Sequence, residues 1–85
     1  MRQKILDQID DERRYQDQRF GTSFDDKNTI NDWAAYILRY LSRAEGAKNH
    51  GDQREAMVKA AALAVAALEA FDRNTRFPPR HYDIY

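Results

Sequence analysis

Apolar residues recur at helical spacing in three stretches of the chain, and the first is the most polar. Within about residues 2–19, Ile5, Leu6 and Ile9 form a narrow stripe in an otherwise charged segment that ends near Gly21. Such a stripe predicts a surface helix that docks along one edge. The following segment GTSFDDKNT has the composition of a loop, so we expect a connection there.

The second stretch predicts a helix from about Ile30 to Lys48 with one broad apolar face. Thr29 precedes Asp32 by three residues, which resembles a capping box and places the start of the helix. The segment EGAKNHGD then ends the pattern with two glycines and an asparagine. The apolar face consists of Ile30, Trp33, Ile37, Tyr40, Leu41 and Ala44.

The third stretch predicts a helix from Asp52, as N-cap, to Arg73 or Asn74. Its segment AMVKAAALAVAALEAF is apolar nearly all round, which is typical of a helix that is buried nearly all round. Two helices of the same chain cannot surround it, so a second copy is the economical source of the missing surface. The predicted fold is therefore all-α, with three helices per chain and a four-helix-bundle core built from helices two and three of a homodimer. The predicted dimer core comprises Trp33, Ile37, Tyr40, Leu41, Met57, Ala61, Ala64, Leu68 and Phe71.

The helical pattern defines one domain and a tail. Residues 1–74 form the predicted single helical domain, and residues 75–85 form a C-terminal tail because Pro78 and Pro79 cannot continue a helix. The tail is rich in aromatic residues, so we expect part of it to pack back on the domain. A length of 85 residues is marginal for a lone core, which strengthens the prediction of a dimer.

Charge and cysteine content narrow the function classes. The 14 basic and 14 acidic residues give zero net charge and are interspersed, which disfavours bulk attraction to nucleic acid or membranes. The apolar segment 56–71 is shorter than the ~20 residues of a membrane span and contains Lys59 and Glu69. No cysteine is present, and the N-terminus lacks the apolar run of a secretory signal, so we predict a cytoplasmic protein.

Residues with catalytic potential are sparse in the sequence. The three glycines are scattered and form no phosphate-binding loop, and neither serine has a recognisable nucleophile context. His50 and His81 are isolated from carboxylates at metal-ligand spacing. We therefore predict no metal site and no cofactor.

Three motifs taken in order indicate a family. The chain runs from DERRYQDQRFG through NDWAAYILRYLSRA, with a tryptophan opening the second helix, to REAMVKAAALAVAALEAFDRN. Over roughly residues 11–74 this order resembles small phage and bacterial proteins related to the MazG-like, all-α nucleoside triphosphate pyrophosphatases. The resemblance implies a helical fold and a phage or mobile-element origin.

The chemistry of that family depends on carboxylates that this chain lacks at the matching positions. An ExxE motif on one helix and an ExxD motif on the next hold magnesium ions against a triphosphate, because i, i+3 spacing puts both oxygens on one face. Here the first pair falls near Arg39 and Arg43, and the second falls on Ala56 and Lys59, with only Glu55 acidic nearby. The resemblance thus implies a fold that has been kept and a reaction that has been lost.

Two hypotheses about function require no catalysis. The first is a dimeric helical protein that binds a protein partner through its tail and its polar first helix. The second is a module that binds a nucleotide or phosphate on Arg39, Arg43 and Lys59. The competing interpretation of these cations is a solvated face with salt bridges to Glu55 or Asp52.

Two further hypotheses rank lower. A metal-dependent pyrophosphatase could use an atypical carboxylate set, Asp25 and Asp26 together with Glu55. Nucleic-acid binding could use the arginines of helix one, but acidic residues are interleaved with them and cancel most of the field. The sequence therefore favours a binding protein over an enzyme.

Overall fold

The computed structural model describes residues 1–74, which form three α-helices and no strand. Helix α1 spans Arg2–Asp26, α2 spans Ile30–Gly46 and α3 spans His50–Arg73. The prediction of an all-α fold with three helices is confirmed for residues 1–74. The expected packing of the tail concerns residues 75–85, which lie outside the described part. No helix of residues 1–74 combines the length and apolarity that crossing a bilayer requires.

Side-chain caps fix the starts of α2 and α3. The predicted capping box is present: Thr29 Oγ1 accepts from the Asp32 N–H at 3.1 Å, and Asp32 Oδ2 accepts from the Thr29 N–H at 2.8 Å. The N-cap of α3 is Asn49 rather than the predicted Asp52. Asn49 Oδ1 accepts from the Asp52 N–H at 2.8 Å, so the helix begins earlier than the sequence pattern indicated.

Helix α1 extends further than its apolar stripe. The sequence pattern predicts that it ends at about Arg19 and is followed by a loop, yet helical backbone resumes after a single break at Gly21 and continues to Asp26. Gly21 has φ 80° and ψ 166°, a conformation that glycine adopts without steric strain. The loop-like composition of residues 21–29 therefore marks a kink and a short turn rather than a long connection.

Helix α3 is the centre of the chain, because α1 and α2 each pack on α3 and their backbones do not pack on each other. Trp33, at the start of α2, packs with Ala66 and Ala70 near the end of α3, which makes these two helices antiparallel. Tyr36, Leu63 and Ala67 border this cluster. The two outer helices consequently leave a cleft between them, with α3 as its floor.

The residues of the predicted dimer core lie in three environments within one chain. Trp33 is buried, whereas Ile37, Tyr40, Ala61 and Ala64 are partly covered. The remaining members are exposed, namely Leu41, Met57, Leu68 and Phe71. A single chain thus covers only those sides of α3 that face α1 and α2. The dimer stays a prediction.

Candidate ligand-binding cleft

The cleft between α1 and α2 encloses about 410 Å³. This volume lies within the range of small-molecule sites, roughly 300–1,000 Å³. The α3 residues at its floor are Lys59, Leu63 and Ala66. Its aromatic walls are formed by Tyr15, Phe20, Phe24, Trp33, Tyr36 and Tyr40.

The aromatic residues form a continuous set of rings across the cleft. Phe20 stacks on Phe24 with ring centroids 5.2 Å apart, and Phe24 stacks on Tyr36 of the opposite wall at 6.4 Å. Trp33 meets Tyr36 edge to face at 6.3 Å. Since Phe20 and Phe24 are 50% and 42% exposed, ring surface remains available to a planar ligand.

Two arginines of the cleft have no carboxylate partner among residues 1–74. The Arg19 guanidinium donates to the Tyr15 hydroxyl at 3.4 Å and lies over the Phe20 ring at 5.7 Å from its centroid. Arg39, on the α2 wall, forms no ion pair with any described residue. These two cations therefore keep their capacity to bind an external anion.

The other two cations of the cleft are neutralised. Arg13 is buried on α1; its Nε donates to Glu69 of α3 at 2.5 Å, and its Nη2 donates to Asp25 at 2.9 Å. Lys59 pairs with Glu12 at 3.5 Å. Burial raises the pKa of Asp25, and the opposing attraction of Arg13 and Arg73 does not cancel that effect.

The structure separates the three cations predicted from sequence. Arg39 and Lys59 line the same cleft. The Arg43 guanidinium instead lies over the Tyr40 ring, 4.8 Å from its centroid, and lines a smaller cavity of about 290 Å³ that Lys59 also borders. Among residues 1–74 none of these cations forms a salt bridge to Glu55 or Asp52, the partners that the solvated-face interpretation required.

The carboxylates of the atypical pyrophosphatase set are not brought together. Asp26 binds Arg73 at the end of α3, with Nη2 to Oδ1 at 2.8 Å, and Asp25 is bound through Arg13 to Glu69. Glu55 lies near the start of α3, about 21 Å from Glu69 at the rise of an α-helix. Residues 1–74 contain no group of three His, Cys, Asp or Glu side chains placed to hold a metal ion.

The sequence interpretation missed the α1 half of the cleft. Tyr15 and Arg19 are four residues apart, as are Phe20 and Phe24, and this spacing indicates that the helix continues past Gly21 with one aromatic face. That signal was present, but the loop-like composition of the segment obscured it. Arg19 lacks a carboxylate partner among residues 1–74 because of the way α1 packs on α3. A local sequence pattern does not reveal that packing.

Comparisons with known proteins supply no family or function to set beside this geometry. No protein-family model, curated protein or solved structure matches the chain.

Proposed function

We propose that this protein is a non-catalytic binding module of MazG-like ancestry, acting as a dimer, whose cleft holds a small anion with an aromatic ring, such as a nucleotide. One observation carries the proposal. Arg19 and Arg39 lack carboxylate partners among the described residues, and they share a cleft with the ring set of Phe20, Phe24 and Tyr36. Charge and ring surface are thus available in one place.

The chemistry of these groups fits a nucleotide. A guanidinium presents planar N–H donors that match phosphate oxygens in pairs. An aromatic side chain that stacks on a nucleobase contributes about 1–3 kcal/mol. Arg13 and Lys59 are balanced by carboxylates, so the positive charge available in the cleft is that of Arg19 and Arg39, in a chain of zero net charge.

The absence of catalysis is proposed from the state of the two carboxylates in the cleft. Glu12 is paired with Lys59, and Asp25 is paired with Arg13. A carboxylate held by a cation is a poor metal ligand, because a metal ion would have to displace that cation. The cleft is therefore suited to holding an anion, and among residues 1–74 its lining has no unpaired carboxylate that could hold a metal ion against that anion.

The protein-partner hypothesis has less support from the described residues. It relied on the tail, which lies outside them, and on the polar surface of α1. Part of that surface is used within the chain: Gln8, Glu12 and Asp26 bind cations of α3. The cleft offers unused binding groups, so we favour a small ligand over a protein partner at this site.

Calorimetric titration of the purified protein with ATP in the absence of magnesium tests the proposal. We expect saturable binding, weaker binding of tripolyphosphate and weaker binding of adenosine, because each lacks one of the two recognised features. Arg39→Gln should weaken ATP binding roughly tenfold, since a hydrogen bond to a charged group contributes about 1.5–3 kcal/mol. Arg43→Gln is the matched control, one turn further along α2 and outside the cleft.

The outcomes separate the alternatives. Absence of ATP binding would reject the cleft as a nucleotide site. A larger effect of Arg43→Gln than of Arg39→Gln would move the site to the smaller cavity. Binding that requires magnesium, accompanied by release of pyrophosphate, would restore the pyrophosphatase hypothesis.

A further inference from the structure

We infer that Gln16 recognises the base of the nucleotide, and that the base it fits is adenine. This inference rests on the proposed function, because it concerns the nucleotide that the cleft would hold. Gln16 belongs to α1, and its side chain is buried although it lines the cleft. Its amide oxygen Oε1 is buried and accepts no hydrogen bond from any of residues 1–74.

The other two buried polar side chains of α1 are paired. They are Arg13 and Asp25, which bind each other at 2.9 Å. A buried polar atom without a partner destabilises a fold, so native structures keep few of them. An unpaired oxygen in the wall of a cleft therefore indicates a partner that comes from outside the chain.

A second unpaired atom lies on the opposite wall. Trp33 Nε1 is buried and donates no hydrogen bond within residues 1–74, and Trp33 also lines the cleft. The third such atom of the described residues belongs to Asn28, which does not line the cleft. Each wall thus contributes one polar atom without a partner, an acceptor from α1 and a donor from α2. Together they fit a heterocycle with both kinds of group on its edge, whereas a hydrocarbon ring would leave both atoms unpaired.

Gln16 is placed to reach the edge of a ring that stacks on Phe20. The two residues are four positions apart in α1, before the break at Gly21, so their side chains are neighbours on one face of the helix. Phe20 is half exposed and lines the cleft, so it offers ring surface for stacking. A base stacked on Phe20 would have one edge within reach of the Gln16 amide.

A rotation of the Gln16 amide brings its oxygen to the ligand. Oε1 is covered in the structure, so recognition requires the side chain to turn. The last torsion of a glutamine side chain is broad and low in energy, so the amide can turn while α1 stays in place. Trp33 is held against Ala66 and Ala70 and has no such freedom. We assign selection of the base to Gln16 for that reason.

An amide side chain pairs with adenine through two hydrogen bonds. Its oxygen accepts from the amino group of adenine, and its N–H donates to the adjacent ring nitrogen. With Oε1 as the atom in the cleft wall, the ligand has to supply a donor at that point. Adenine supplies its amino N–H there, whereas a guanine-type base presents a carbonyl oxygen. Cytosine carries the same two groups as adenine on a single ring, and the double ring of adenine covers more of Phe20, Phe24 and Tyr36.

Calorimetric titration of the full chain with three triphosphates, without magnesium, tests the inference. Inosine triphosphate replaces the amino group of ATP by a carbonyl oxygen, and purine riboside triphosphate replaces it by hydrogen. The wild-type protein should bind each of them about tenfold more weakly than ATP, since pairing of one amide with one base gives discrimination of that order. Equal affinities for the three would overturn the inference and leave the nucleotide site in place. Failure to bind any of them would reject the proposed function, and this inference with it.

Gln16→Met tests the residue itself. Methionine keeps the length of the side chain and removes the amide, so the preference for ATP over inosine triphosphate should fall from about tenfold to less than about twofold. Binding of tripolyphosphate should not change. Gln18→Met is the matched control, because Gln18 is exposed on the same helix and lies outside the cleft, and this variant should keep the preference. A preference that persists in Gln16→Met would overturn the inference.

The stability of Gln16→Met separates recognition from a structural role. Because Oε1 has no partner within residues 1–74, the apolar side chain should leave the urea midpoint unchanged or raise it. A lower midpoint together with an unchanged ratio of the two affinities would assign Gln16 to the fold and overturn the inference. If Gln16→Met does not fold, the comparison of the three triphosphates on the wild-type protein decides alone.

Discussion

The two sides of α3 hold their neighbours by different means. Toward α1, four side chains spaced along α3 make polar links, namely Arg54 to Gln8, Lys59 to Glu12, Glu69 to Arg13 and Arg73 to Asp26. Toward α2, the contact is apolar, with Trp33 seated on Ala66 and Ala70. No ion pair joins α2 to α3 among residues 1–74.

This difference assigns separate roles to the two interfaces. Exposed ion pairs contribute little stability, about 0–1 kcal/mol each, but their positions fix which residues of α1 meet which residues of α3. Buried apolar area contributes most of the stability and allows more variation in registry. The α2 side thus holds the fold together, and the α1 side fixes the geometry of the cleft.

The largest effect is expected from removing the apolar anchor. Trp33→Ala should lower the free energy of unfolding by about 3–5 kcal/mol, because the cavity left against Ala66 and Ala70 has no side chain to fill it. Urea denaturation followed by far-ultraviolet circular dichroism measures this loss. Trp33→Phe should lower the free energy of unfolding by a distinctly smaller amount. A loss below ~1 kcal/mol for Trp33→Ala would mean that the apolar side is not the main source of stability.

The second effect tests Arg13, the one buried side chain among the α1–α3 polar links of residues 1–74. Arg13→Met should lower the free energy of unfolding by roughly 3 kcal/mol, since it leaves the buried Asp25 without its partner. Adding Asp25→Asn to this variant should recover part of the loss. Arg14→Met is the matched control: the Arg14 side chain is 74% exposed, and its removal should change stability by less than ~0.5 kcal/mol. Equal losses in the two single variants would remove the distinction between buried and exposed links.

The smallest effect is a dependence on pH. The pKa of Asp25 is raised above its ordinary value of 3.8 by burial, so the folded chain keeps this proton to higher pH than the unfolded chain. Stability attributable to Asp25 is therefore present below 3.8 and is lost as pH rises through the folded pKa. The urea midpoint of the wild-type protein relative to that of Asp25→Asn, measured in steps from about pH 3.5 to pH 6.5, should show this decline. Parallel profiles of the two proteins would contradict the assignment.

Local patterns predicted the helices better than the cleft. Apolar spacing located all three helices, and the pair Thr29 and Asp32 predicted the start of α2, because caps and periodicity act within a few residues. The same patterns ended α1 too early, since the kink at Gly21 interrupts the helix without terminating it. The sequence analysis also predicted that Arg39 and Lys59 lie close together, and both line the cleft.

The rest of the cleft depends on contacts between distant parts of the sequence. Whether a cation is free is decided largely by the acidic residues that face it from another helix: Lys59 meets Glu12 and Arg13 meets Glu69, whereas Arg39 and Arg19 meet none among residues 1–74. The pairing of a cation with acidic residues on another helix cannot be read from a single sequence. The omission of Arg19 from the predicted site has this cause, whereas Arg43 lies outside the cleft because it packs on the Tyr40 ring.

The polar links between α1 and α3 also have a consequence for the order of folding. They join residues 46 to 56 positions apart, whereas α2 and α3 follow one another across a short turn. Closing a long loop costs more entropy than closing a short one, so we expect the α2–α3 hairpin to assemble first and α1 to dock on it afterwards. In the native state we therefore expect undocking of α1 to be the local opening of lowest free energy. The cleft would be lost when α1 undocks and would form again when α1 docks, while the hairpin stays folded.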